Sequence, residues 1–194
     1  MKKILFTILL SLTIMSAYAQ SESQHLTFKG VPIDGTLNEY VSKMKQKGFM
    51  FMTTQDGTAL LKGDFAGYKG CTVGVSTLKQ RDLVSKVVVI FPSYDNWSGV
   101  SNNYFSLKDM LTEKYGQPAN VVEEFQGIIT PETDNSKMHE LRMDRSKFVT
   151  VFSTSKGDIQ LSMSSDKMGG ACVLLTYFDR INGDVVRSEA MDDL

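Results

Sequence analysis

Residues 36–48, TLNEYVSKMKQKG, carry the pattern of a short amphipathic helix. Asp34 and Thr36 are the two candidate caps, Glu39 follows Thr36 at the spacing of a capping box, and Gly48 is a typical helix end. The apolar residues recur at helical spacing and are Leu37, Tyr40, Val41 and Met44. Strand-like patterns follow directly after Gly48, and this change of period decides the fold class.

Four strands are predicted after the helix, at residues 49–54, 59–68, 71–78 and 84–91. Turn signals such as Gln55-Asp56-Gly57 and Lys69-Gly70 separate them. The last strand contains VVVIF at residues 87–91, a run that is apolar on both faces and typical of a buried central strand.

The same order returns in the second half of the chain. Residues 94–101 are predicted to form a loop that contains Trp97, and residues 104–115 a helix ended by Gly116-Gln117-Pro118. Strands are predicted at residues 119–125, 148–153, 159–164 and 172–178, with a polar excursion at 126–146.

This order predicts an α+β fold of two helix-plus-four-strand units, residues 31–93 and 94–180. Neither unit buries its sheet well alone, so the two are expected to join in one largely antiparallel sheet with helices on one face. The opposite face is then a candidate open surface.

The chain begins with the three-part pattern of a signal peptide, predicted over residues 1–19. Lys2 and Lys3 precede an apolar stretch at 4–14, and Ala17-Tyr18-Ala19 is a typical cleavage site. No Cys follows Ala19 to accept a lipid, and no later segment has the length of a membrane span. We therefore expect an exported protein, periplasmic or extracellular after cleavage near Ala19.

The remaining ends are polar. Residues 20–30 read as a polar leader, for which the sequence leaves open a short strand at Phe28 to Val31 or simple docking, and residues 181–194 as a polar, acidic tail that frays. Without the predicted signal peptide the chain has 19 basic and 22 acidic residues, a net charge of −3. This balance lacks the excess of basic residues that is typical of proteins that bind nucleic acid.

Cys71 and Cys172 are the only cysteines. Export favours a disulfide between them, whereas their positions inside apolar strands favour two separate buried thiols. The sequence leaves both alternatives open, because a bridge depends on the separation of the Cα atoms.

No motif for catalysis, metal or cofactor binding is present. The two histidines, His25 and His139, lie in polar segments without a G-x-S-x-G or H-E-x-x-H pattern. We therefore expect a protein without a cofactor or metal and not an enzyme, with a hydrolase built on His139 as the least favoured alternative.

Aromatic residues in or near the predicted turns are the best candidates for contact with a partner. These are Phe65, Tyr68, Tyr94 and Trp97. For Tyr94 and Trp97 the alternative, that they seal the junction between the two units, is favoured.

Two tandem helix-plus-four-strand units in an exported chain resemble the beta-lactamase inhibitor protein family, and less closely the small outer-membrane assembly lipoproteins. The residues that carry the resemblance are the helix at 37–48, the strands through Phe91, and the segment from Trp97 through Tyr104 and Leu111 to Lys114-Tyr115-Gly116-Gln117-Pro118. The resemblance covers most of residues 30–180. It implies a concave sheet that binds other proteins, without implying a beta-lactamase target.

These observations favour a binding protein that holds a protein or peptide on its sheet face or turn aromatics. A carrier of a small apolar ligand between sheet and helices is the alternative. The oligomeric state is left open.

Overall fold

The computed structural model describes residues 23–77, 81–166 and 169–192. Its helices are α1 (Leu37–Gln46), α2 (Trp97–Tyr115), α3 (Asp134–Arg142) and α4 (Arg180–Asp192). Its strands are β1 (Thr27–Phe28), β2 (Val31–Pro32), β3 (Met50–Gln55), β4 (Thr58–Phe65), β5 (Tyr68–Thr77), β6 (Val84–Ile90), β7 (Asn120–Phe125), β8 (Ser146–Thr154), β9 (Gly157–Ser165) and β10 (Ala171–Asp179). The predicted signal peptide at 1–19 lies outside the described residues.

Eight of the strands form one antiparallel sheet in the order β3-β4-β5-β6-β10-β9-β8-β7. The predicted α+β class and antiparallel sheet are confirmed. A helix followed by four strands occurs twice along the chain, and α3 stands between β7 and β8. The last strands of the two halves, β6 and β10, pair at the centre, while β3 and β7 form the two edges.

The core lies between the helices and one face of the sheet. Val87 and Val89 on β6 pair with Tyr177 and Leu175 on β10, and all four are buried. Helices α1, α2 and α3 cover this face with buried side chains that include Tyr40, Met44, Val100, Tyr104, Leu107, Met138 and Leu141. We call it the helix face.

Of the two alternatives for the end of the leader, the structure has the short strand. β1 and β2 form a two-stranded ribbon whose turn residues, Lys29 and Gly30, both have positive φ values of 52° and 74°. This backbone suits a tight hairpin, and it places Phe28 in the core with its ring centroid 5.4 Å from that of Tyr177.

Helix α2 begins at Trp97, so the predicted loop at 94–101 is wrong for its second half. Asn96 caps the helix, since its side-chain oxygen accepts a hydrogen bond from the backbone N–H of Gly99 at 2.7 Å. The excursion at 126–146 contains α3, which is capped by Thr133. The sequence therefore predicted α2 only from residue 104 onward, and it missed α3, whose apolar periodicity is weak.

The expected frayed tail is helical up to residue 192. Its start is fixed by Asn182, whose Nδ2 donates to the carbonyl oxygens of Ile33 at 3.0 Å and Val84 at 2.9 Å. These tertiary hydrogen bonds outweigh the low helix propensity of Asn182-Gly183. Among the described helices, none combines the length and the apolar character needed to cross a membrane.

Candidate interaction surface

The second face of the main sheet is formed by the side chains that alternate with the core positions. Paired residues of an antiparallel sheet share a face, so the register identifies its members. One row across the sheet consists of Leu60, Gly74, Val88, Thr176, Gln160, Val151 and Asn120. The next row consists of Lys62, Thr72, Ile90, Leu174, Ser162, Val149 and Val122. We call this surface the open face.

α1, α2 and α3 all pack on the helix face, so the open face is the side of the sheet away from them. α4 follows β10 at the end of the sheet, where its Gly183 lies beside Lys86 and Phe178 of the open face. Eight strands about 4.8 Å apart give the open face a width of about 34 Å. Val88, Ile90 and Leu174 at its centre are half-buried by their neighbours in the sheet. The fold thus presents a broad surface made of strand side chains.

The centre of the open face is apolar and nearly free of charge. Val88, Ile90 and Leu174 form its apolar patch, with Val149 and Val151 beside them on β8. Hydroxyl side chains surround the patch and include Thr72, Thr176, Ser162 and Ser76. Charged side chains lie toward the margins and include Lys62, Lys86 and Asp158. Depletion of charge at the centre with a polar rim is typical of protein–protein interfaces.

Three of the four predicted contact aromatics converge near Phe91, at the end of β6. The ring centroids of Phe65 and Tyr68 lie 6.2 Å and 5.0 Å from that of Phe91. Partial burial and the proximity of Tyr94 raise the pKa of Tyr68. Phe65, Tyr68 and Tyr94 are all half-buried, so each has one side in the core and one toward solvent.

Trp97 does not belong to this group. It is 8% exposed and its ring centroid lies 5.2 Å from those of both Phe125 and Phe148. Burial removes Trp97 from the candidate contact residues and agrees with the favoured alternative in making it a core residue, but its ring contacts lie in the second half, because α2 begins at this residue.

The structure places Cys71 and Cys172 on opposite faces of the sheet. Cys71 pairs with Gly63 on β4 and lies on the helix face, whereas Cys172 pairs with Ser164 on β9 and lies on the open face. β5 and β10 are separated by β6, so the Cα atoms are about two strand spacings, or about 10 Å, apart. A disulfide does not span this distance, and both thiols are free and buried.

The two histidines lie in different surroundings. His139 is exposed on α3. His25 has both ring nitrogens near carboxylates, with Nδ1 at 3.1 Å from Asp179 and Nε2 at 3.6 Å from Asp34. Among the described residues, no three His, Cys, Asp or Glu side chains are grouped to hold a metal.

The buried tyrosine hydroxyls on the helix face are held neutral. Burial raises the pKa of Tyr40, Tyr104 and Tyr177 well above the ordinary value. The hydroxyl of Tyr104 lies 2.6 Å from Oγ1 of Thr150, so it links α2 to β8. The role of this contact is to position the helix on the sheet.

Two further exposed apolar features lie away from the predicted contact aromatics. Ile128 and Ile129 have fully exposed side chains in the loop before α3, beside the bidentate pair of Arg145 and Glu140. The second feature is β3, which is exposed along its whole length. Residues 50–52 of β3 are all apolar, so the strand is apolar on both faces, and such a run does not distinguish a buried strand from an exposed edge.

Comparison of the chain with known protein families, with curated proteins and with solved structures finds no match.

Proposed function

We propose that the protein is exported and binds another protein or an extended peptide on the open face of its sheet. The observation that carries the proposal is the apolar patch of Val88, Ile90 and Leu174, which lies on the sheet face opposite α1, α2 and α3, is half-buried and contains no charged side chain. Apolar side chains grouped on a surface with a polar surround are typical of interaction sites.

The position of the patch adds support. It lies where β6 meets β10, on the two central strands of the sheet. Strands with neighbours on both sides are held in register, so the surface they carry is pre-organised and little conformational entropy is lost on binding. The resemblance to the beta-lactamase inhibitor protein family, whose fold implies a protein-binding sheet, supports the same proposal.

The alternatives have less support. A carrier of a small apolar ligand needs space between helices and sheet, but side chains such as Tyr40, Met44 and Tyr104 fill that layer and are fully buried. A hydrolase built on His139 needs a partner for the imidazole, whereas His139 is exposed on α3.

Site-specific photo-crosslinking tests the proposal. A benzophenone amino acid placed at Leu174 is expected to give one adduct of defined mass in an envelope extract. The same amino acid placed at Glu113, which is exposed on α2, is the matched control and is expected to give none. Equal labelling from the two positions, or no adduct from Leu174, would count against the open face.

A further inference from the structure

Strand β3 is an edge of the main sheet and is bonded on one side only. It pairs with β4, and no described strand lies beyond it. All six of its residues are exposed, including Met50 at 64%, Phe51 at 39% and Met52 at 52%. Its outer backbone N–H and C=O groups are therefore available to another strand.

The opposite edge of the sheet is protected, and β3 is not. β7 carries Glu123 and Glu124, and Nζ of Lys108 lies 2.6 Å from Oε1 of Glu123. Charged side chains on an edge strand discourage pairing with other chains. β3, with the sequence MFMTTQ, has no charged residue and no proline. Its one irregularity is a bulge between Phe51 and Thr53.

A groove runs alongside β3 on the helix face. It encloses about 300 Å³ between α1 and β3 and is lined by Asn38, Val41, Ser42, Lys45, Phe51 and Thr54. Phe51 and Thr54 pair with the buried Leu61 and Ala59, which places both on the helix face. Alternate side chains of a strand added to β3 would point into this groove.

Lysines flank β3 on both faces. Nζ of Lys45 lies 5.4 Å from the centroid of the Phe51 ring on the helix face, and Lys62 is paired with Met50 on the open face. Among the described residues, no carboxylate lies within ion-pair distance of either ammonium group. The edge is therefore neutral and apolar along the strand and positive on either side.

We propose that β3 is a strand-addition site for an extended segment of another protein in which apolar and acidic side chains alternate. The apolar residues enter the groove beside Phe51 on the helix face, and the carboxylates, which point to the other face of the added strand, lie toward Lys62 on the open face. A second copy of this chain fits less well, because its own β3 brings two more lysines and no carboxylates to the edge. The site lies outside the apolar patch of the open face. A test of binding at β3 is therefore independent of a test of the proposed function.

Binding of two synthetic peptides to the intact protein tests the charge requirement. The probes are a fluorescent octapeptide of alternating Glu and Val and its counterpart of alternating Lys and Val. Fluorescence anisotropy is expected to show at least about tenfold tighter binding of the Glu peptide. The variant Lys62→Glu is expected to reverse the preference.

Two further measurements locate the site. Phe51→Thr is expected to weaken binding of the Glu peptide at least about fivefold, with Met52→Thr as a second variant should the first lose its native circular dichroism. Val121→Thr, an exposed apolar position on the opposite edge strand β7, is the matched control and is expected to change nothing. Hydrogen exchange of residues 50–55 is expected to slow when the peptide is bound.

Several results would overturn the proposal. These are absence of binding by the Glu peptide, equal affinity for both peptides, or indifference to Phe51→Thr. A concentration-dependent dimer in sedimentation that Phe51→Thr abolishes, without peptide binding, would assign β3 to self-association instead.

Discussion

The carboxylate of Asp179, at the end of β10, accepts a hydrogen bond from the backbone N–H of Leu26 at 2.8 Å. Its other oxygen accepts one from the backbone N–H of Asn182 at 2.9 Å and lies 3.1 Å from Nδ1 of His25. One buried side chain thus ties the N-terminal ribbon and the start of α4 to the central strand. No sequence motif marks this link, because its partners are about 150 residues apart.

Removal of this carboxylate is expected to destabilise the fold strongly. Asp179→Ala leaves the buried N–H groups of Leu26 and Asn182 without an acceptor, which costs about 3 kcal/mol of unfolding free energy in total. Asp179→Asn retains one acceptor and is expected to cost less. Urea unfolding measures both, and Asp109→Asn on the exposed side of α2 is the control, expected within about 0.5 kcal/mol of the parent. A parent-like Asp179→Ala would show that the ribbon is held by other contacts.

Acid sensitivity is expected to arise in part from Asp34. Partial burial raises its pKa, but hydrogen bonds from Asn182 and the backbone N–H of Gly35, with His25 nearby, bring it below the ordinary 3.8. A lowered folded-state pKa stabilises the fold above the unfolded pKa, and this contribution is lost as the pH falls through the folded value.

Thermal unfolding between about pH 5 and pH 2 tests whether the Asp34 carboxylate contributes a stability that is lost as the pH falls. The parent is expected to lose more stability across the interval than Asp34→Asn, whose amide does not titrate. If the two proteins show parallel losses, the stabilisation of the Asp34 carboxylate is too small to matter.

The two cysteines are expected to stay reduced even under oxidising conditions. They lie on opposite faces of the sheet with β6 between their strands, and burial raises the pKa of both thiols. Alkylation after unfolding should add two labels to protein purified without reductant, and reductant should not change the melting temperature. Detection of an unlabelled, two-hydrogen-lighter species would contradict the register of β5 or β10.

Two glycines are expected to respond oppositely to alanine. Gly157 begins β9 with φ +146°, and a Cβ there would collide with the carbonyl oxygen of Phe178 on the paired strand. Gly183 lies in α4 with no atom near its Cβ position. Gly157→Ala is expected to cost about 2 kcal/mol or more, because backbone rather than a flexible side chain must move. Gly183→Ala should gain about 0.5–1 kcal/mol from helix propensity.

Thermal or urea unfolding of Gly157→Ala and Gly183→Ala, compared with the parent protein, measures both changes in stability. A stable Gly157→Ala would mean that the β9–β10 ladder has more freedom at its end than the close approach implies. A destabilised Gly183→Ala would mean that the start of α4 is not helical in solution.

The sequence predicted the parts of the fold that depend on the local spacing of apolar residues. The capping box of Thr36 and Glu39 marked α1, and the run at 87–91 marked β6, which does lie at the centre of the sheet. The pairing of β6 with β10 could have been predicted from the sequence as well. Each is the most apolar strand of its half, and a central position buries such strands best.

The parts of the fold that the sequence did not predict depend on contacts between residues that are distant in the chain. α4 forms because Asn182 reaches Ile33 and Val84, and no local pattern carries that information. The same holds for Cys71 and Cys172, whose faces follow from the register of three strands. At the candidate surfaces, the sequence identified apolar residues on β3 and near Phe65, but exposure depends on strand order, which the pattern does not specify.

The affinity of the partner captured through position 174 is the measurement that tests the open face most directly. Val88→Lys and Leu174→Glu are both expected to weaken it at least about tenfold, since each places a charge in the apolar patch. Glu113→Lys on α2 is expected to leave it within about twofold. Unchanged affinity in both patch variants, with native circular dichroism, would contradict binding on the open face.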